Sequence, residues 1–328
     1  MNLKTTPNLV VIGGGTGTHV VVSGLATYPV NLTAIVSVSD SGGSTGRLRD
    51  EFGFPPVGDL RQALAALAQD NQQPWIRDLL LYRFTKGQGL KGHNLGNLIL
   101  TALQDLTGTT AKAVAITSQI FRLRGSIYPA TTRTVDLVIE YQDGSFVIGE
   151  HHLNPHQLGG KKIRRIHLSP QARLFPQAKT AIQKAHLIII GPGDLYASLM
   201  SNLIVTGMKA VLRQTQAKLL YVVNLMTVFT QTHGYSAADH VRVIESAIGR
   251  RLDYILINQE AIPAKILSAY RQQQEFPVTD DLPHEARIIR APLITQRLVK
   301  AEPGDTVSRS FLRHNSRRLA NQIISLCH

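Results

Sequence analysis

The chain of 328 residues has a single cysteine, Cys327, beside its C-terminus. No disulfide framework can form within one chain, which agrees with a reducing, cytoplasmic setting. Acidic residues are scarce as well: 22 Asp and Glu stand against 35 Lys and Arg, a formal charge of +13. Such a surface attracts nucleotides, acidic sugars, nucleic acid or anionic membrane. The basic side chains are dispersed, with dense clusters only at Lys161–Arg165 and Arg313–Arg318. Neither cluster is interleaved with aromatics, as single-stranded nucleic acid sites are. Anionic small ligands are therefore expected, and nucleic acid is not. A membrane span is not expected either. Leu9–Ala26 carries no formal charge, but Gly13, Gly14, Gly15, Gly17 and Gly24 interrupt it, so it reads as strand, loop and helix. Lys4 alone precedes it, too little for a signal peptide. A Walker loop, a Cys-x-x-Cys pair, a nucleophile elbow after a strand, tandem repeats and low-complexity segments are all missing.

Hydrophobic content of 43% and charge of 17% suit an ordinary globular chain, read as one α/β domain over residues 1–328. Five short, β-branched apolar runs stand out: Asn8–Ile12, Leu32–Val38, His186–Ile190, Leu219–Val223 and Tyr254–Ile257. They fit parallel strands buried on both faces. Each stops at a polar or glycine-rich loop, and ligands of an open parallel sheet bind outside such carboxyl ends. Helical stripes follow Leu60–Ala68 and Leu95–Leu106, the second closed by Gly108. Ser236 and Asp239 form a capping box that opens a helix running to Ala247, with Gly249 as its stop. A last helix is expected over Ser308–Leu326. Thr134–Tyr141 alternates, Asp143-Gly144 turns, and Ser145–Gly149 returns as a hairpin. With Ile163–Leu168 as a further strand, residues 125–170 read as a small β-rich insertion.

The loops supply the candidate ligand contacts. Gly13, Gly14, Gly15, Thr16 and Gly17 lie between the first strand and a helix from about Thr18, where backbone N–H groups can face a phosphate. The alternative is a tight turn; Thr18 occupies the third glycine position of a strict dinucleotide fingerprint. After the second strand, Asp40, Ser41, Gly42, Gly43 and Ser44 make a second candidate anion nest. Asp40 is a candidate Mg²⁺ ligand or ribose acceptor, or else an Asx-turn residue. Asp59 opens the Leu60–Ala68 helix as a site carboxylate or an N-cap. His93, also at a helix start, suits a neutral hydrogen-bonding or general-base role, or capping. Asp40, Asp59 and His93 are the catalytic candidates. Gly191, Pro192, Gly193 and Asp194 after one strand, and Asn224 after the next, complete the rim. His151, His152 and His156 lack the spacing of a zinc site and read as a solvated loop.

These segments resemble a known family. Val11–Gly17, Ser37–Arg49, Gly58–Arg61, Gly92–Leu98, Gly191–Tyr196 with Asn202, and Gly234–Val241 are similar to the motif set of the YvcK proteins, the bacterial gluconeogenesis factors. These are relatives of the CofD phospholactate transferases. The likeness runs from about residue 8 to residue 325. It implies a Rossmann-like three-layer parallel sheet that binds a nucleotide, with Asn97 among the contacts. For YvcK-type proteins it implies binding of UDP-N-acetylglucosamine or UDP-glucose and support of cell shape on gluconeogenic carbon sources. Cell-wall synthesis proteins are then candidate partners, and a homo-oligomer stays open. By position, Tyr270 and the Arg313-His314 pair match residues tied to UDP-sugar binding. Two departures stand out. Val228-Phe229-Thr230-Gln231-Thr232 replaces a usual Gln-Pro-Gly-Glu-Thr, and Asn315 stands where aspartate is usual.

Three functions follow as expectations. The first is a UDP-sugar-binding regulator without an assured reaction or cofactor. The second is a CofD-like transferase that moves a phospholactyl group to a deazaflavin with Mg²⁺. The third, from the fold alone, is an NAD(P)-dependent oxidoreductase.

Overall fold

The computed structural model describes residues 6–39, 42–68, 74–149, 152–153, 155–295 and 312–327. Its strands are β1 (Asn8–Gly13), β2 (Asn31–Val36), β3 (Ser126–Pro129), β4 (Asp136–Tyr141), β5 (Phe146–Ile148), β6 (Ile163–Ser169), β7 (Leu187–Ile190), β8 (Lys218–Val222), β9 (Tyr254–Asn258) and β10 (Ile288–Ala291). Seven of them form a parallel sheet in the order β10-β9-β8-β7-β1-β2-β3. Helices flank the sheet, and the fold is Rossmann-like. Leu9, Val11, Ile12, Ile188, Ile189 and Ile190 are fully buried, as strands covered on both faces require.

All five apolar runs are strands of this sheet. Two further members, β3 and β10, are only four residues long and sit at its edges. The second sheet is antiparallel, in the order β5-β4-β6. Ser126–Pro129 falls inside the span 125–170 but pairs with β2, so the antiparallel sheet starts at Asp136. A strand of four residues shows too little alternation to reveal which sheet it joins. Leu137, Ile139 and Tyr141 share the main apolar core with β1 and β7.

The chain leaves β1 for β2 on one side and returns at β7 on the other, which makes a topological switch point between β1 and β7. Helix α1 (Gly15–Leu25) follows β1, α2 (Gly43–Phe52) and α3 (Gly58–Leu67) follow β2, and α4 (Pro74–Leu81) and α5 (Leu95–Thr107) come next. Helix α1 starts three residues before the expected Thr18, because its first turn is built largely of glycine, whose low helix propensity hides it. Gly17 lets that turn lie directly on the loop after β7: an added Cβ would overlap the Pro192 carbonyl. The capping box is present, with the Asp239 Oδ2 accepting from Ser236 N–H at 3.0 Å.

The last helix spans Ser316–Ser325 and is capped by Asn315, whose side chain accepts from Arg318 N–H at 3.0 Å. This corrects the expected helix from Ser308: Leu312–His314 precede it as non-helical chain, and residues 308–311 lie outside those described. Asn and Asp cap about equally well, so the Asn315 departure preserves the helix start. Packing of this helix on α1 needs Gly24, where a Cβ would overlap the Ser316 carbonyl. That close approach brings Leu312–His314 to the sheet's carboxyl edge. Among the described residues, no helix is long and apolar enough to cross a membrane.

Candidate functional site

A cleft of about 250 Å³ lies at the carboxyl ends of the strands, over the switch point. Its wall includes Gly14, Gly15, Thr16 and Gly17 from the first loop, Gly42, Gly43 and Ser44 from the second, and Pro192, Gly193 and Asp194 from the third. Asp59, Asn97, Asn224, Tyr270 and Arg313 also line it. Gly13 ends β1 and Gly191 follows β7, and neither lines the cleft. Asp40 and Ser41 lie outside the described residues, as does His151.

Two helices point their N-termini into this cleft. Neither α1 nor α2 has a side-chain cap on its N-cap residue, Gly14 and Gly42 respectively. The first N–H groups of a helix have no partner within it and carry partial positive charge, so the two termini form an anion-binding wall. Asp59 belongs to this wall and does not act as an N-cap. The N-cap of α3 is Val57, while Asp59 reaches across to α1, where its Oδ1 accepts from Gly15 N–H at 2.7 Å.

On the α2 and α5 side, a buried polar network backs the wall. Ser44 Oγ accepts from Asn94 N–H at 3.2 Å and from Asn97 Nδ2 at 3.3 Å. Its own proton is then directed to His93 Nδ1, 3.3 Å away. Asn94, not His93, caps α5, with its side chain accepting from Asn97 N–H. Burial, followed by the Arg47 charge, holds the His93 imidazole below its usual pKa, so it is neutral at pH 7 and supports Ser44 from behind. Asn97 Oδ1 in turn accepts from Arg61 Nε at 2.8 Å. Arg61 and Arg83 line the cleft with Arg313. Arg61 was visible only as part of a motif, and nothing in the sequence marked Arg83, which is placed by the chain path between α4 and α5.

On the β7 and β8 side, Asn224 locks two loops together. Its Nδ2 donates to the Gly193 carbonyl at 2.7 Å, and its Oδ1 accepts from Tyr221 at 3.3 Å. Gln231, at the position where the family pattern has glutamate, also has a clear role. Its Oε1 accepts from Ala197 N–H at 3.1 Å, which leaves its amide nitrogen to donate to the Asp194 carboxyl. Asp194 therefore supplies a carboxyl on this rim, and a glutamate at 231 would set a second carboxyl against it. Burial raises the Asp194 pKa. Glu275, unmarked by any sequence signal, lines the same wall and is raised to about 7, first by burial and then by the Asp194 charge.

Tyr270 borders the cleft but is only 2% exposed, packed with Leu225, Met226, Ile266 and Leu312. Its hydroxyl accepts from Leu312 N–H at 3.0 Å. It thus positions the Leu312–His314 segment rather than offering an open ring face. The Arg313 carbonyl accepts from Thr295 N–H at 3.1 Å, and His314 bridges to Ile294. Burial lowers the His314 pKa to about 4 despite a hydrogen bond to the Val223 backbone.

The model of the family described as 2-phospho-L-lactate transferase CofD matches residues 9–299. The gluconeogenesis factor of Halalkalibacterium halodurans is 38% identical over 319 residues, covering 97% of this chain and 95% of its own. That of Bacillus subtilis is 38% identical over 322 residues, 98% of each chain. A crystal structure of a UPF0052 family member from Bacillus halodurans superposes with a TM-score of 0.87 at 36% identity, over 98% of this chain and 99% of that one. The chain belongs to the CofD family, among its gluconeogenesis-factor members of the YvcK type.

Proposed function

We propose that this protein is a gluconeogenesis factor that works by binding a nucleotide sugar in the cytoplasm, UDP-N-acetylglucosamine or UDP-glucose, and so couples cell shape to growth on gluconeogenic carbon sources. The general role is supported by relatives of that name aligned over nearly the whole chain. One observation carries the ligand class: the N-termini of α1 and α2, each with a glycine at its N-cap, meet Arg61, Arg83 and Arg313 in one cleft at the switch point. Donors in that number suit a diphosphate, and guanidinium groups can take phosphate oxygens in pairs.

A second reading, the phospholactyl-type transferase, is favoured by the family match over residues 9–299. It calls for Mg²⁺, which binds to one or two carboxylates together with phosphate oxygens. Asp59, held on the first turn of α1, fits as such a carboxylate. The metal would supply charge neutralisation for the phosphates, while Asp59 and the helix termini orient them.

Calorimetric titration with UDP-N-acetylglucosamine, GDP and NAD, each with and without Mg²⁺, separates these readings. The regulator reading expects UDP-N-acetylglucosamine to bind most tightly and to be recovered unchanged. Tight binding of GDP alone, dependent on Mg²⁺, would favour the transferase.

A further inference from the structure

The wall of the cleft has two chemically opposite halves. Around α1, α2 and α5 donors prevail: the first-turn N–H groups of two helices and the guanidinium groups of Arg61 and Arg83 surround a single carboxylate among the described lining residues, Asp59, which holds the Gly15 N–H. Arg313 lines the cleft as well.

Beyond the loops after β7 and β8, the wall presents acceptors. Asp194 lines the cleft here and receives one hydrogen bond from the Gln231 amide. Glu275 stands in the same wall, close enough for the Asp194 charge to act on it, and accepts from Phe229 N–H. The third group is His314, 6% exposed, whose ring lines the cleft. Its hydrogen bond to the Val223 backbone occupies one ring nitrogen, while Nε2 has no hydrogen-bond partner in the protein. A neutral imidazole that donates from Nδ1 carries a lone pair at Nε2. A buried acceptor of this kind needs a donor. Phosphate oxygens bring none, whereas each hydroxyl brings one.

The geometry points to a polarised cleft in which a nucleoside diphosphate sets its phosphates on α1 and α2 and turns a polyhydroxylated group toward Asp194, Glu275 and His314. This rests on the nucleotide reading above and adds two things to it: the direction in which the ligand lies, and the residues that recognise its non-phosphate end. The acceptor wall selects a sugar, rich in hydroxyls, over a bare nucleotide. Asp194 and Glu275 are thereby specificity residues and not phosphate contacts.

The test compares UDP with UDP-glucose by calorimetry on the full chain, in the wild type, Glu275→Leu and Glu275→Gln. The wild type is expected to bind UDP-glucose about tenfold or more tightly than UDP, as one or two charge-assisted hydrogen bonds provide. Glu275→Leu should bring that ratio to within about twofold, with most of the loss on UDP-glucose. Should the Leu variant fail to fold, Glu275→Gln keeps the shape and an acceptor for Phe229 N–H, and a ratio reduced about threefold serves instead. Equal affinities of the wild type for UDP and UDP-glucose would overturn the polarised cleft and leave the nucleotide reading standing. So would Glu275 variants that weaken both ligands by the same factor. No binding of either ligand would overturn the nucleotide reading itself, and the polarised cleft with it.

Discussion

Asp59 and Gly15 lie 44 residues apart and join two helices, the carboxylate Oδ1 accepting the Gly15 N–H at 2.7 Å. A negative charge is thereby set where two helix termini attract anions. A diphosphate entering the cleft meets that charge, and a divalent cation relieves the repulsion. Asp59→Asn keeps an acceptor for Gly15 but loses the charge. Ligand affinity without Mg²⁺ should rise, and the enhancement by Mg²⁺ should shrink to less than about twofold, with stability changed by about 1 kcal/mol. An undiminished Mg²⁺ effect in the variant would place the metal elsewhere.

Gly17 seats α1 on the loop after β7. In Gly17→Ala the new methyl group overlaps the Pro192 carbonyl, and since backbone cannot rotate away, the two loops must part. A loss of about 1–3 kcal/mol is expected, as for other overpacked sites, together with weaker nucleotide binding. Urea denaturation followed by circular dichroism reads the first, and an unchanged midpoint would show that the contact yields easily.

Tyr270 acts through Leu312. In Tyr270→Phe the ring stays and the acceptor for a buried N–H goes, which costs about 1–3 kcal/mol. UDP-sugar affinity should fall along with stability, and the Leu312 amide should exchange faster with deuterium. Full affinity in the Phe variant would assign the role to the ring instead.

Gln231→Glu would restore the family residue but replace the donor to Asp194 by a second carboxyl. Like charges this close cannot both ionise. The variant should be less stable at pH 8 than the wild type and recover as the pH falls toward 5, when one carboxyl takes a proton. A melting-temperature difference independent of pH would contradict this.

The buried histidine sets an acid limit. His314 is neutral in the fold, with a pKa of about 4 against an ordinary 6.5. Between these values the unfolded chain binds a proton that the folded chain does not. Stability is therefore unaffected above about pH 6.5 and declines as the pH falls from there toward 4, by an amount on the order of 3 kcal/mol for this group. His314→Gln should flatten that part of the stability profile. A slope identical to that of the wild type would mean that other groups dominate.

The elements legible from sequence were those with strong local signals. Runs such as His186–Ile190 are too apolar and branched for anything but a buried strand, and Ser236 with Asp239 encodes its own cap. The hairpin around Asp143-Gly144 was equally plain. Edge strands such as β10, with four residues and two of them only partly buried, carry almost no periodic signal. They become strands because a neighbour offers them hydrogen bonds.

The candidate site divides in the same way. Glycine-rich loops after buried strands are local features, and their position after apolar runs places Gly13–Gly17 and Gly191–Asp194 on one rim. The partners of those loops are contacts between residues far apart in the chain: Asp59 with Gly15, Gln231 with Asp194, Tyr270 with Leu312. Asp59 is the clearest case. At the start of a helix it has the sequence signature of a cap, yet its carboxylate turns to another helix, because packing of α1 against α3 brings that donor within reach. Local chemistry determined which segments could form strands, turns and anion-binding loops. Which side chains face one another across the cleft was decided only by the sheet order and by two close helix approaches at Gly17 and Gly24, since hydrogen bonding and charge act over a few ångströms of space and take no account of distance along the chain.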